Sequence, residues 1–207
     1  MAGDKTPDYV RYLPLLHELW PKAKFVHLIR DGRDVCLSAI AWKRKVDKLA
    51  SLFTTWEDDP VMTASLWWEW HVRQGRRHGR TLGPDLYYEM RYESLVAEPA
   101  KECAKLCAFL GLSYEDSMLR FYVGRARIET DLDAKNAWLP ITAGLREWRK
   151  EMSSESLDRS EAAVGDLLAE LGYPISFTPR SAEVVQQLDR TRKLFVENTR
   201  CLGDWLP

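Results

Sequence analysis

Residues 24–38, KFVHLIRDGRDVCLS, constrain the fold more than any other stretch of the sequence. An apolar run, Phe25 to Ile29, enters a turn of alternating charge, and a second, largely apolar segment follows that turn. Because the first run is continuous rather than alternating, it predicts a short buried strand. The second segment predicts a helix over 32–43, so the stretch is a strand, a charged turn and a helix.

The charged turn is suited to binding an anion. Asp31 is a candidate N-cap of the helix, Asp34 a candidate capping-box acid, and Gly32 gives the turn conformational freedom. Backbone N–H groups at the helix start and the side chain of Arg30 are expected to converge there. Ser38 lies about two helical turns further on. If the anion is a phosphate, the Arg30 guanidinium and the Ser38 hydroxyl can both reach its oxygens. On these residues alone, a surface arginine and an ordinary helical serine remain the alternative.

The composition is that of one folded domain. The chain has 207 residues and 45% hydrophobic content, so we expect a single domain over 1–207. A net charge of −1 argues against non-specific binding of nucleic acid, so any anion site must be local. No segment is long enough to span a bilayer, and no signal peptide opens the chain.

The cysteines and histidines do not suggest a metal site. The four cysteines lack CxxC spacing and suit reduced thiols in a cytoplasmic protein, and the four histidines form no ligand motif. The tryptophans Trp67, Trp68 and Trp70 have two interpretations, either a helix buried against a sheet or a flat substrate-binding wall.

The order of elements predicts the α/β class, because strands are separated by helices. In RYESLVAEP, residues 91–99, Tyr92 ends the second predicted strand, at the sheet edge where Arg30 ends the first. Tyr92 is either a ligand-binding residue or simply a strand-end aromatic. We expect strands over 24–29 and 86–91, helices from Thr6 to before Pro21 and over 32–43, 61–79, 97–110, 113–122, 154–171 and 181–197, a loop over 44–60, and irregular structure over 124–147.

Taken in order, these motifs resemble the PAPS-dependent sulfotransferases, which transfer a sulfuryl group from 3′-phosphoadenosine 5′-phosphosulfate (PAPS) to a hydroxyl or amine. The family's apolar strand, Arg-Asp-x-Arg-Asp and later Ser match KFVHLIRDGRDVCLS. Its Tyr-Glu-x-Leu, Pro and Phe-Leu-Gly-Leu match YESLVAEP and AFLGL. The resemblance is greatest to the tyrosylprotein sulfotransferases and their bacterial relatives. It also includes GDKTPDYV, PKAKF, Trp148 and LLAELGY, and so extends over roughly residues 3–175.

The resemblance implies a fold and a nucleotide site. The fold is P-loop-NTPase-like, with a parallel sheet flanked by helices and a helix-rich C-terminal half. Arg30 and Ser38 would hold the 3′-phosphate of PAPS, or of its product adenosine 3′,5′-bisphosphate. Tyr92 would contact the nucleotide near the same phosphate.

Two further basic residues are implied near the donor. Lys5 corresponds to a catalytic lysine that neutralises charge on the transferring group, which stabilises the transition state more than the ground state. In the tyrosylprotein branch a basic residue precedes the tryptophan that matches Trp148. This chain has Glu147 there, so Arg146 is the candidate for that cofactor-binding role.

The sequence departs from the family at its beginning. The family starts with a strand, a Gly- and Ser/Thr-rich loop around the 5′-phosphosulfate, and a segment that supplies the general base. None of these precedes Lys5. We therefore expect a sulfotransferase domain that lacks its first strand and loop, through truncation or a misplaced start. Alternatively, the missing strand is supplied by another copy, by a complementing N-terminal segment or by an atypical strand of the chain itself.

The sequence leaves more than one function open. A sulfotransferase acting on a small-molecule or peptide acceptor is the first. A non-catalytic module or subunit that binds 3′-phosphoadenosine nucleotides is the alternative. A nucleotide kinase is disfavoured because the chain has no GxxxxGK[ST] loop. No metal, nucleic acid or membrane is implied.

Overall fold

The structure, a computed structural model, describes residues 2–43, 53–124, 139–142, 144, 147–176 and 180–203, the last without the side chains of 201–203. In chain order the elements are a 3-10 helix Pro7–Arg11, α1 Leu13–Leu19, β1 Phe25–Ile29, α2 Gly32–Lys43, a 3-10 helix Thr54–Trp56, α3 Pro60–Leu82, β2 Tyr87–Arg91, α4 Tyr92–Ala97, α5 Pro99–Leu110, a 3-10 helix Asp116–Arg120, α6 Trp148–Glu151, α7 Ser154–Glu170 and α8 Ala182–Gly203.

Strands β1 and β2 pair in parallel. Phe25 lies opposite Tyr87, and Ile29 lies opposite Arg91, with α2 and α3 in the connection between the strands. Over the described ranges the sheet consists of these two strands. The α/β prediction is confirmed. Because parallel strands end at the same edge, the residues that follow Ile29 and Arg91 are brought side by side.

The prediction that β1 is buried on both faces is wrong. His27 and Ile29 are buried, whereas Val26 is 40% and Leu28 49% exposed. Helix α3 packs against one face of the sheet, and α5 reaches the other face at β2, where Phe109 stacks on Tyr88 at 5.2 Å. Neither helix covers the side chains of Val26 and Leu28, which lie at alternate positions of β1.

Helix α3 is the centre of the packing. Its N-cap is Asp59, whose carboxylate accepts the N–H of Met62, and it ends at Gly83, where φ is +79°. It packs against α2, α7 and α8. The buried residues of the main core are Ile29, Phe53, Met62, Leu66, Trp68, Val72, Ala163, Val164, Leu167, Leu168, Tyr173 and Phe195.

The tryptophan cluster belongs to this core. Trp68 is buried, and Trp67 and Trp70 pack partly buried against the same residues. Of the two interpretations, the buried helix is therefore confirmed.

Several other predictions differ in detail. The single helix expected between Thr6 and Pro21 is a 3-10 helix followed by α1, because Pro14 lacks the N–H that a continuous helix would need and is instead accommodated in the first turn of α1. The helix expected over 113–122 is a 3-10 helix, and α6 has no counterpart among the predicted helices. Most of the predicted segments 44–60 and 124–147 lies outside the described residues.

The thiols that the structure describes are unbridged. Cys36 and Cys107 are buried, Cys103 is partly buried, and the side chain of Cys201 is outside the described residues. Among the helices described, none is both long and apolar enough to cross a membrane.

Candidate functional site

The charged turn, residues 30–34, leads from β1 into α2, and Asp31 is its N-cap as predicted. The N–H of Arg33 donates to Asp31 Oδ1 at 3.0 Å, and the N–H of Val35 donates to Asp31 O at 3.1 Å. Such local capping follows from the sequence, because donor and acceptor lie within one helical turn.

Asp34 does not act as a capping-box acid. Its Oδ2 accepts from Arg30 Nη2 at 3.0 Å and Nε at 3.3 Å, and its Oδ1 accepts the N–H of Trp148 at 2.9 Å. The N–H of Asp31, which a capping-box acid would bind, instead donates to Glu93 Oε1 at 2.8 Å. An acid from α4 therefore satisfies this N–H, and Asp34 orients Arg30.

Arg30 and Tyr92 lie together at the carboxyl edge of the sheet. The guanidinium carbon of Arg30 is 4.5 Å from the centroid of the Tyr92 ring, a cation–π distance. The side chain of Arg30 is 22% exposed, so it is partly shielded from water while still reaching the surface. The structure thus brings together two of the predicted nucleotide-binding residues.

Ser38 lies on the same side of α2 as this pair. It is half-buried and follows Asp34 by four residues. Residues so spaced are neighbours on one helix face, with Cβ atoms about 6 Å apart. Because Asp34 binds Arg30, the hydroxyl of Ser38 is placed one turn along the helix from the Arg30–Asp34 ion pair.

Trp68, on α3, packs against the charged turn. Its indole N–H donates to the carbonyl of Arg30 at 3.1 Å. A Cβ added to Gly32 would lie 2.5 Å from Trp68 Cε3. Gly32 is not among the glycines with positive φ, so the turn needs its small size rather than conformational freedom, and the sequence-based explanation is corrected.

The second arginine of the turn is structural. Arg33 has 0% side-chain exposure and forms ion pairs with Asp31 at 2.8 Å and Glu161 at 2.6 Å. It also donates to the carbonyl of Pro174 at 2.8 Å. Its guanidinium carbon lies 3.7 Å from the centroid of the Trp148 ring. Arg33 therefore cannot bind a ligand without breaking these contacts.

Trp148 attaches its own segment to the charged turn. Its indole N–H donates to Asp31 Oδ2 at 3.1 Å, in addition to the backbone contact with Asp34. Glu147 directly precedes Trp148 in the sequence, so these contacts hold it close to the turn in space. Arg146, the predicted nucleotide-binding residue, lies outside the described residues.

Lys5 is not brought into this group by any contact between described residues. It is exposed, and its backbone N–H donates to Asp4 Oδ1 at 2.8 Å. Its predicted role therefore stays a prediction.

The electrostatics of the turn are balanced. Arg30, Asp31, Arg33 and Asp34 contribute two positive and two negative charges. Burial raises the pKa of Asp34, although Arg30 and the Trp148 N–H favour its charged form. Selectivity for an anion must therefore come from oriented donors rather than from excess positive charge. In the parts of the chain that are described, no cluster of three or more His, Cys, Asp or Glu side chains is suited to a metal ion.

Sequence reasoning missed two residues that hold this geometry. Glu93 was noted only as part of the Tyr-Glu-x-Leu motif, and Trp68 only as part of an aromatic cluster. Their acceptor and donor atoms meet partners that are 62 and 38 residues away, so no local pattern reveals the contacts.

Two nematode proteins are similar to most of the chain. One from Caenorhabditis elegans, named "Putative protein-tyrosine sulfotransferase", is 30% identical over 84% of this chain and 66% of its own length. One from Caenorhabditis briggsae with the same name is 29% identical over 84% of this chain and 60% of its own length. The chain thus spans less than two thirds of the length of each of these relatives.

A solved structure and a family model complete the comparison. A sulfotransferase domain from the curacin biosynthetic pathway superposes with a TM-score of 0.60 at 23% identity, covering 84% of this chain and 62% of that one. This similarity supports the fold. The model of the Sulfotransferase family matches residues 1–116, more than half of the chain. The chain belongs to the sulfotransferase family.

Proposed function

We propose that this protein takes part in sulfuryl transfer from PAPS to an acceptor hydroxyl or amine. The observation that carries the proposal is the pairing of Arg30 with Tyr92 where β1 and β2 end, beside the helix face that presents Ser38. This arrangement fits a phosphate group. A guanidinium offers a charge-assisted fork and a hydroxyl adds a neutral donor.

In this proposal Arg30 and Ser38 hold the 3′-phosphate, and Tyr92 contacts the nucleotide next to it. Asp34 fixes the direction of the Arg30 guanidinium through two hydrogen bonds. Arg146, two residues before Trp148 in the sequence, is proposed to add a second cation. Because the turn itself carries no net charge, the phosphate is bound through correctly placed hydrogen-bond donors rather than through excess positive charge.

Lys5 is proposed to act on the group that is transferred. During transfer a bond forms between the acceptor atom and sulfur, and the bond between sulfur and the 5′-phosphate oxygen breaks. The acceptor proton goes to a general base, and negative charge builds on the departing phosphate. A lysine ammonium stabilises that charge more in the transition state than before it.

The acceptor and the partners are part of the proposal. The names of the nematode relatives make a peptide tyrosine the first acceptor to test, with small-molecule phenols, alcohols and amines after it. The expectation that a second copy or a complementing N-terminal segment pairs with the chain stays a prediction. Val26 and Leu28, on the exposed face of β1, are where such a partner would pack. A reducing, cytoplasmic compartment is proposed from the buried thiols of Cys36 and Cys107.

Nucleotide binding tests the proposal at Arg30. Adenosine 3′,5′-bisphosphate should raise the melting temperature of the chain and ADP should not, since ADP lacks the 3′-phosphate. Arg30→Ala should weaken binding of the bisphosphate by about 10- to 100-fold, because a hydrogen-bonded charged partner of the phosphate is lost. Arg30→Lys should recover only part of the affinity, because an ammonium keeps the charge but not the fork. Thermal unfolding measures the shifts in melting temperature, and calorimetric titration measures the affinities of the two variants.

The control is Arg77→Ala, which removes an exposed arginine of α3 and the same unit charge. It should leave binding of the bisphosphate unchanged. Equal stabilisation by ADP and the bisphosphate, or equal losses in the two alanine variants, would contradict the proposal. Transfer of labelled sulfate from PAPS to a tyrosine peptide tests turnover. Binding without any transfer to a broad acceptor panel would favour the non-catalytic module instead.

A further inference from the structure

The Glu93 carboxylate connects the two halves of the nucleotide site. Its Oε1 accepts the N–H of Asp31 at 2.8 Å, and its Oε2 accepts the hydroxyl of Tyr173 at 2.9 Å. Asp31 directly follows Arg30, and Glu93 directly follows Tyr92. The first hydrogen bond thus joins the residues next to the two that form the cation–π pair.

This contact has no local substitute. The acid that would ordinarily cap the Asp31 N–H is Asp34, and its two oxygens are bound to Arg30 and to the Trp148 N–H. Asp31 is buried, and a buried N–H without an acceptor is unfavourable. Glu93 therefore takes over the cap and leaves Asp34 to orient Arg30.

Glu93 is itself held in place. Tyr173 donates to it, and Arg91 lies with its guanidinium carbon 3.9 Å from the centroid of the Tyr173 ring. Burial raises the pKa of Tyr173 well above its usual value, so this phenol stays a neutral donor. The side chain of Glu93 is 41% exposed, so its position depends on these hydrogen bonds and on the ion pair of its Oε2 with Arg91 Nε at 3.7 Å rather than on close packing.

We propose that Glu93 is a positioning residue that sets how Arg30 and Tyr92 distinguish a 3′-phosphate from a 2′-phosphate on the ribose. The inference rests on the proposed nucleotide site. Adenosine 3′,5′-bisphosphate and adenosine 2′,5′-bisphosphate have the same groups and charge and differ only in where one phosphate is attached. Their affinity ratio therefore reports geometry, which a purely stabilising residue does not change.

The test compares two substitutions of Glu93 by calorimetric titration with both isomers. Glu93→Asp keeps the charge but shortens the side chain by one methylene, so its carboxylate no longer reaches the Asp31 N–H. It should lower the 3′-over-2′ affinity ratio by about fivefold, the size of one net hydrogen bond. Glu93→Gln keeps the length and one acceptor oxygen, and should hold the ratio within about twofold of the original protein.

Tyr173→Phe is the matched comparison, since it removes the other hydrogen bond to the same carboxylate and keeps the bond to the Asp31 N–H. It should lower the ratio by less than Glu93→Asp does, because Glu93 loses a support but not its contact with the charged turn. The inference is overturned if folded Glu93→Asp keeps the 3′-over-2′ affinity ratio of the original protein. It is also overturned if Glu93→Gln lowers that ratio as much as Glu93→Asp does. If the unsubstituted protein does not distinguish the two isomers, the proposed nucleotide site itself fails, whatever the variants show. Should Glu93→Asp not fold, the ratio in Glu93→Met, which has no acceptor, decides between the same outcomes.

Discussion

At the scale of single residues, Gly32 shows how closely the charged turn is packed. An added methyl group would lie 2.5 Å from Trp68 Cε3 and 2.7 Å from its Cδ2. Gly32→Ala should therefore lower the free energy of unfolding by about 1–3 kcal/mol, the cost of overpacking a filled site. It should also weaken binding of adenosine 3′,5′-bisphosphate, because the Trp68 indole that holds Arg30 must move. Denaturant unfolding and calorimetric titration measure the two effects.

Gly3→Ala is the control, because an added Cβ there has no neighbour within 4 Å. It should leave stability and binding unchanged. Unchanged nucleotide affinity in Gly32→Ala would show that Trp68 is not needed to hold Arg30.

The residue scale also shows which assignments the sequence permits. Asp31 is recognisable as an N-cap, because its partner Arg33 is two residues away. The partner of Asp34, the N–H of Trp148, is 114 residues away, so the pattern suggested a capping box that does not exist. Arg30 was predicted from the order of motifs, whereas its orientation by Asp34 needed the structure.

At the scale of elements, β1 carries a histidine that links stability to pH. His27 is buried, its Nδ1 is 2.6 Å from the hydroxyl of Tyr87, and its ring packs on Gly75 of α3. Burial lowers the pKa of His27 from 6.5 to about 4, a shift that Glu89 opposes and Arg76 and His71 assist. The chain should therefore be less stable in mild acid.

The sign follows from proton uptake. Between pH 6.5 and 4 the unfolded chain binds a proton at His27 that the folded chain does not. The contribution of neutral His27 to the free energy of unfolding is therefore complete above pH 6.5. It is lost as the pH falls towards 4, which lowers the free energy of unfolding by about 3 kcal/mol. Denaturant unfolding at the two pH values measures it. His27→Gln cannot titrate at this position, so between pH 6.5 and pH 4 it should lose less stability than the original protein does. An equal loss in both proteins would show that His27 is not the group responsible.

Element positions were predictable where periodicity and caps agree. Helix α3 was expected over 61–79 and spans Pro60–Leu82, with Asp59 and Gly83 at its ends. The exposure of Val26 and Leu28 was not predictable, because an apolar run does not reveal which face a neighbouring element covers. That information lies in the packing of α3 and α5.

At the scale of the whole molecule, a buried ion pair joins α2 to α7. Arg33 Nη1 lies 2.6 Å from Glu161 Oε1, and the other oxygen of Glu161 accepts the N–H of Ser176 at 2.9 Å. Glu161→Gln should lower the free energy of unfolding by about 3 kcal/mol, because the fully buried guanidinium loses one of its two charged partners. Thermal or denaturant unfolding measures the loss.

Glu155→Gln is the matched control on the same helix. Glu155 pairs with Arg159 at 3.0 Å, but its side chain is 77% exposed. The substitution should change stability by less than about 1 kcal/mol, as for other surface ion pairs. Similar losses in the two variants would mean that the Arg33–Glu161 pair does not hold the helices together.

Across the chain, the sequence predicted the fold class and the order of the motifs but not how distant segments meet. The single domain over 1–207 stays a prediction, and the chain spans less than two thirds of the length of its nematode relatives. Glu161 and Trp148 both reach the charged turn from more than 100 residues away. Such contacts depend on how α7 packs on α3, which no local pattern encodes.

Two indole rings touch the turn that is proposed to bind phosphate, Trp68 through the carbonyl of Arg30 and Trp148 through the carboxylate of Asp31. Indole emission responds to nearby charge and to its own N–H bonding. The proposed nucleotide site therefore carries its own optical reporter, and adding adenosine 3′,5′-bisphosphate should change the indole emission. Replacing each ring in turn by phenylalanine would assign the signal to one side of the turn, without any attached dye.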